Sequence, residues 1–126
     1  MQYVTTEGAQ GICPTNSHIP SDNEWKTLEM QLGMTQSEAD VFGAWRGIDQ
    51  GTKLQLGGSS GLDMPFAGNR KYDGTFNILS LSANLWSSSL DSGSNVWYRY
   101  MSSTGALVGR NVLIKTYGIS IRCVVN

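Results

Sequence analysis

The runs Asn84-Leu85-Trp86-Ser87-Ser88-Ser89, Asn95-Val96-Trp97-Tyr98-Arg99-Tyr100-Met101, Gly105-Ala106-Leu107-Val108-Gly109-Arg110-Asn111-Val112 and Tyr117-Gly118-Ile119-Ser120-Ile121-Arg122-Cys123-Val124-Val125 fill the last third of the chain. Each is short and rich in β-branched or aromatic residues. Clusters of Ser, Gly, Asp and Asn separate them. This pattern predicts sequential antiparallel strands joined by tight turns. In the second run the two-residue period puts Val96, Tyr98 and Tyr100 on one face and Trp97, Arg99 and Met101 on the other. Both faces carry aromatics. One is expected to pack on helices and the other to line a surface.

The helices lie upstream. Ser21-Asp22-Asn23-Glu24 is a capping box and predicts a helix over about 22–32. Trp25, Leu28 and Leu32 share its inner face, and Gly33 stops it. Thr35-Gln36-Ser37-Glu38 repeats the device and predicts a second helix over 36–45, with Ala39, Val41, Phe42 and Trp45 as its apolar face. Before them, the prolines between Cys13 and Pro20 forbid helix and predict an extended connector. Gln2–Thr5 offers one short edge strand. Residues 46–83 are long, irregular and glycine-rich, with Leu54, Leu62, Met64, Phe66 and Phe76 as apolar anchors, so an ordered loop region is expected. Asp73-Gly74 marks a tight turn within it. The class is α+β: two helices, long central loops and a twisted antiparallel sheet, in one domain over 1–126.

Composition narrows the function. The chain has 126 residues, 40% of them hydrophobic and 15% charged, with a net charge of −1. That suffices for one core. The absence of any basic run argues against nucleic acid as a partner. No apolar run approaches the ~18 residues of a membrane span, so direct membrane insertion is not expected. Met1-Gln2-Tyr3-Val4 lacks the regions of a signal peptide and reads as an internal cut in a longer protein. Cys13 and Cys123 are the only cysteines. They are either free buried thiols of a cytosolic protein or one bridge. Their placement near opposite ends, beside apolar runs, and the Gly/Ser/Trp-rich composition favour the bridge and an oxidising compartment.

The motifs Gly11-Ile12-Cys13-Pro14-Thr15, His18-Ile19-Pro20-Ser21-Asp22 with Glu24-Trp25, Gly68 with Arg70, Asp73-Gly74 and Phe76, Trp86 to Ser89, Trp97 to Tyr100, and Tyr117 to Val124 together resemble the Fibrobacter succinogenes major paralogous domain. Asn16-Ser17 stand where that family usually carries Gly-Trp. The resemblance implies a C-type-lectin-like, or formylglycine-generating-enzyme-like, fold with its termini close together. It places Cys13 and Cys123 at framework positions of the family. It also implies a secreted or cell-surface bacterial protein. Related lectin-like folds bind sugars or proteins through the loop side of the sheet. The run Asn84–Asn111 is similar to the C-terminal segment of variable proteins diversified by retroelements, which serves as their binding face.

No catalytic constellation stands out. His18, the only histidine, has no nucleophile or carboxylate in an evident relation to it and is read as a structural group bonding backbone near the bridge. No pair of carboxylates is singled out as acid and base. Oxidase chemistry needs a reactive cysteine pair, and bridged framework cysteines do not supply one. No cofactor is therefore expected. Calcium is the alternative: Asp49, Asp63, Asn69, Asp73 and Asn77 could ligate it through oxygen, although turn formation accounts for these residues more simply. The expected contact surface comprises Asp91, Ser94, Asn95, Tyr98, Arg99, Tyr100, Arg110 and Asn111, a Tyr/Arg/Asn mixture suited to recognition. Trp86 and Trp97 are assigned to the core, and Arg122 to a structural bond with a carboxylate or carbonyl. These readings converge on a non-enzymatic module that binds a glycan or a protein receptor, carried on a secreted or surface protein of bacterial or phage-related origin. A structural or assembly domain of a surface or pilus-like scaffold is the alternative, and a small hydrolase or oxidase comes last.

Overall fold

The computed structural model describes Val4 and residues 6–126. Apart from Val4, the edge strand expected over Gln2–Thr5 lies outside them. In chain order the elements are β1 (Ser17–His18), α1 (Asp22–Gln31), α2 (Gln36–Asp40), β2 (Ala44–Arg46), α3 (Gln50–Leu54), β3 (Asn69–Arg70), β4 (Phe76–Asn77), β5 (Ser82–Ser92), β6 (Asn95–Ser102), β7 (Val108–Ile114) and β8 (Val124–Val125). The main sheet is antiparallel with the order β2-β7-β6-β5. The class is α+β, as expected, but there are three helices among the described residues rather than two, since α3 forms inside the expected loop region, and the sheet takes an edge strand, β2, from outside the C-terminal third.

Both helix starts form as the sequence predicts. Ser21 Oγ accepts from the Glu24 amide at 3.2 Å, and Glu24 Oε2 accepts from the Ser21 amide at 2.8 Å. Thr35 and Glu38 make the same reciprocal pair. Each satisfies two helix-end donors that would otherwise lack partners.

The second helix is shorter than expected. It ends at Asp40, because Val41 turns extended at φ −62°, ψ 142°. Gly43 then adopts φ 73°, a left-handed conformation open to glycine, and its amide donates to the Arg110 carbonyl at 2.8 Å. The chain is thereby delivered to the edge of β7. Trp45, expected on a helix face, sits instead on an edge strand opposite Gly109. The last sequence run also departs from expectation. It does not continue the meander beyond β7. Residues 117–123 cross to the far edge, where Ser120 bridges Leu85 in parallel and Gly118 bridges Arg70. The expected turn at Asp73-Gly74 is present, and Asp73 Oδ1 accepts from the Thr75 amide at 2.9 Å.

One face of the sheet carries the core. Ala83, Leu85, Met101 and Val108 project from three strands onto Trp25, Leu54 and Met64. Burying each large side chain contributes about 1.5–3 kcal/mol. Beside this apolar cluster, α1 presents Asp22 and Glu29, two turns apart and on the Trp25 side, all buried. Arg99 Nε donates to Glu29 at 2.6 Å and its Nη1 to Asp22 at 2.7 Å. Arg46 clamps Glu29 at 2.8 and 3.2 Å, and Arg110 clamps Asp22 at 2.7 and 3.0 Å. Burial pushes the Asp22 carboxyl up, but the Arg110 and Arg99 guanidiniums more than offset this and hold it below the ordinary carboxylate range.

The ends of the chain meet. Cys13 and Cys123 form a disulfide, and β1 pairs with β8. His18 lies in this clasp but bonds side chains rather than backbone. Its Nδ1 is 2.6 Å from Asn126 Oδ1 and its Nε2 is 2.8 Å from Glu24 Oε1.

Candidate ligand-binding face

The sheet face turned away from α1 is aromatic. Cross-strand register puts Tyr98 opposite Trp86 on one side and Asn111 on the other. It puts Gly109 between Tyr100 and Trp45. Trp45 of β2, Tyr100 and Tyr98 of β6 and Trp86 of β5 therefore form one row, with Gly109 of β7 leaving room for it. Trp45 and Tyr100 meet at 4.7 Å between ring centroids, Tyr100 and Tyr98 at 5.4 Å, and Tyr98 and Trp86 at 6.3 Å. Contacts of this kind contribute beyond area burial and fix ring orientation. Trp86 is the buried end of the row, and Trp45 is its open end at 48% exposed.

The polar tips of this row are available. Among the described residues neither the Tyr98 nor the Tyr100 hydroxyl has a partner, and both side chains are half-buried. Burial, with Tyr100 and Tyr117 beside it, pushes the Tyr98 hydroxyl up to about 12. Burial also raises Tyr100, against Arg46. Both stay neutral near pH 7 and can donate as well as accept. Asn111 Oδ1 accepts from the Val112 amide at 2.8 Å, and its NH2 group makes no hydrogen bond among the described residues. At the open end, Trp45, Ser102, Gly105 and Leu107 line a hollow of 270 Å³. A second aromatic pair, Tyr72 and Tyr117 at 6.0 Å, stands at the β3–β4 hairpin.

The expected contact set is only partly brought together here. Tyr98, Tyr100 and Asn111 share the face. Arg99 and Arg110 do not: they are 0% and 5% exposed, on the opposite side, and are consumed by Asp22 and Glu29. A guanidinium on the helix side of the sheet must find carboxylates there, because leaving it unpaired in the interior is prohibitively costly. Arg110 also lies 3.9 Å over the Trp97 ring, which Phe42 meets edge-on. Asp91, Ser94 and Asn95 sit at the β5–β6 turn, the other end of β6 from the hollow. Seven residue steps separate Asn95 from Ser102, roughly 23 Å of strand. The serines are not presented either. Ser87, Ser88 and Ser89 are buried in a bulge of β5. Ser87 Oγ donates to the Trp97 carbonyl, Ser88 Oγ accepts from the Gly8 amide, and Ser89 Oγ accepts from the Asp22 amide and bonds Glu7.

The calcium candidates are dispersed into local roles. Asp49 pairs with Lys53, Asp63 accepts from the Gly57 amide, and Asp73 accepts from Thr75. Asn69 Oδ1 is buried with no partner among the described residues. Among the described residues no three His, Cys, Asp or Glu side chains converge as a metal set. Arg122, expected to bond a carboxylate or carbonyl, is exposed and makes no side-chain bond among the described residues.

Sequence reasoning missed Trp45, Ser102, Leu107 and the Tyr72–Tyr117 pair as neighbours of Tyr100 and Tyr98. The available signal was Gly109 within a strand run, since an interior strand glycine marks a close approach.

No curated protein and no solved structure matches the chain. The family model described as the Fibrobacter succinogenes major domain matches residues 2–125. With its framework motifs spanning the sheet, the helices and the clasp, the chain belongs to the Fibrobacter succinogenes major domain family.

Proposed function

We propose that the chain is a non-enzymatic ligand-binding module with a C-type-lectin-like fold, and that its contact surface is the aromatic face. The observation that carries this reading is the row Trp45–Tyr100–Tyr98, whose open end adjoins a hollow and whose hydroxyls have no partner among the described residues. Aromatic rings supply contact area at low entropic cost, and their polar tips supply orientation. A glycan or a protein receptor offers the matching mixture of apolar patches and hydrogen-bonding groups. A disulfide linking the two ends suits a secreted or cell-surface location on a longer protein. Similarity to retroelement-diversified variable proteins makes Tyr98, Tyr100 and Asn111 the positions at which sibling proteins would differ.

The test is binding of the purified protein to glycan and receptor-ectodomain panels, compared with Trp45→Ala. Binding by the parent and its loss in a variant with an unchanged circular dichroism melt supports the reading. Undiminished binding by the variant sinks it.

A second reading, an assembly domain, has one observation in its favour. Phe76, Leu79 and Leu81, close in sequence, are 82%, 70% and 60% exposed. Ile78 between them holds φ 52°, a costly conformation for a β-branched residue. Sedimentation that shows concentration-dependent self-association, abolished by Leu79→Asp, would favour this reading over the first.

A further inference from the structure

On the α1 side of the sheet, away from the aromatic row, a cavity of 370 Å³ opens between α1 and the C-terminal strand. Pro20, Trp25, Leu28, Leu62 and Val124 form its walls, and Cys123 of the disulfide closes one side. Its size falls in the range of small-molecule sites. The walls are pre-set. Trp25 is pinned by its indole N–H, which donates to the Trp86 carbonyl at 3.3 Å, and Cys123 is covalently fixed. A pre-formed site avoids the ordering cost of binding.

Three polar side chains reach this cavity: Glu24, Thr27 and Arg122. Glu24 is committed, with Oε1 on His18 and Oε2 on the Ser21 amide and hydroxyl. Thr27 Oγ1 donates to the Asn23 carbonyl at 2.9 Å. Arg122 makes no ion pair and no side-chain hydrogen bond among the described residues. It is the unused donor at an otherwise apolar site. A hydroxyl-rich ligand would lose its water contacts against these walls without replacement. An apolar body with one planar anion is better matched, because the guanidinium fork replaces the water contacts of its carboxylate. We propose that this cavity binds a small apolar monocarboxylate, its hydrocarbon body against Trp25, Leu28 and Leu62 and its carboxylate on Arg122. The site is independent of the aromatic face and of that face's ligand.

The test titrates nitrogen-15-labelled protein with 3-phenylpropanoate and, separately, with the neutral 3-phenylpropan-1-ol. Saturable shifts at the Trp25 indole and the Leu28 and Leu62 amides are expected, with the acid binding about fivefold tighter, the upper range for one exposed ion pair. Arg122→Gln should bring the acid down to the affinity of the alcohol and leave the alcohol unchanged. Leu62→Trp should fill the cavity and remove both. The spectra themselves report whether each variant is folded. Absence of saturable shifts, equal affinity for acid and alcohol in the parent protein, or an acid affinity indifferent to Arg122→Gln each overturns the proposal.

Discussion

Tyr100 lies across Gly109: a Cβ built on that glycine would sit 2.0 Å from the Tyr100 ring. The ring end occupies the space where a side chain would stand, and Trp45 closes on it from the neighbouring strand. Gly109→Ala should therefore drive the ring off the strand. The expected cost is that of overpacking, about 1–3 kcal/mol by urea denaturation. The near-ultraviolet circular dichroism band of the Trp45–Tyr100 pair should weaken as well. An alanine variant with both signals unchanged would show that the ring is not seated there.

Arg99 is the centre of the buried charge cluster. Arg99→Met leaves Asp22 and Glu29 short of a partner in the interior, and the expected loss is about 3–5 kcal/mol. Tyr98→Phe, on the opposite face, should stay within about 0.5 kcal/mol. Equal effects would contradict the division of β6 into a face packed on α1 and a half-buried aromatic face.

His18 makes the clasp sensitive to pH. Both ring nitrogens face acceptor oxygens, on Asn126 and Glu24, so the doubly protonated ring satisfies both. The Asn126 bond and then the Glu24 bond raise its pKa above 6.5, against a smaller opposing effect of burial. A pKa raised on folding contributes stability that is fully present below the unfolded value and is lost as pH rises through the folded one. Urea midpoints of the parent should fall, relative to His18→Gln, as pH rises from below 6.5 into the alkaline range. Parallel pH profiles would remove the imidazolium from the clasp.

The disulfide closes a sequence separation of 110 residues. On the chain-entropy estimate, its removal costs about 4–5 kcal/mol. Cys13→Ser with Cys123→Ser should show this loss in denaturant. Thiol titration of denatured, unreduced parent protein should find none free.

How much of this was legible in the sequence depends on what each residue's neighbours are. The capping boxes at Ser21 and Thr35 were legible because their partners lie three residues away. The strands β5 to β7 were legible because alternation and turn residues are local. Trp45 was misplaced because Ala39, Val41, Phe42 and Trp45 imitate helical spacing, while the edge of β7 that captures them lies more than sixty residues on. Arg99 and Arg110 were misplaced for a related reason. Charge alone suggests exposure, and only the packing of α1 reveals two carboxylates waiting. A local hint existed, since Asp22, Trp25 and Glu29 fall on one helical face and Trp25 had to point inward. The aromatic face inherits this split: Tyr98 and Tyr100 followed from alternation, whereas Trp45 and Gly109 required knowing which strands are neighbours.

The covalent clasp also sets how the module would carry load. Tension applied at its two ends passes from the segment before Cys13 directly through the sulfur–sulfur bond to the segment after Cys123. The sheet, the helices and the aromatic row lie off that line. A domain built this way can be pulled from both ends without its aromatic row being stretched.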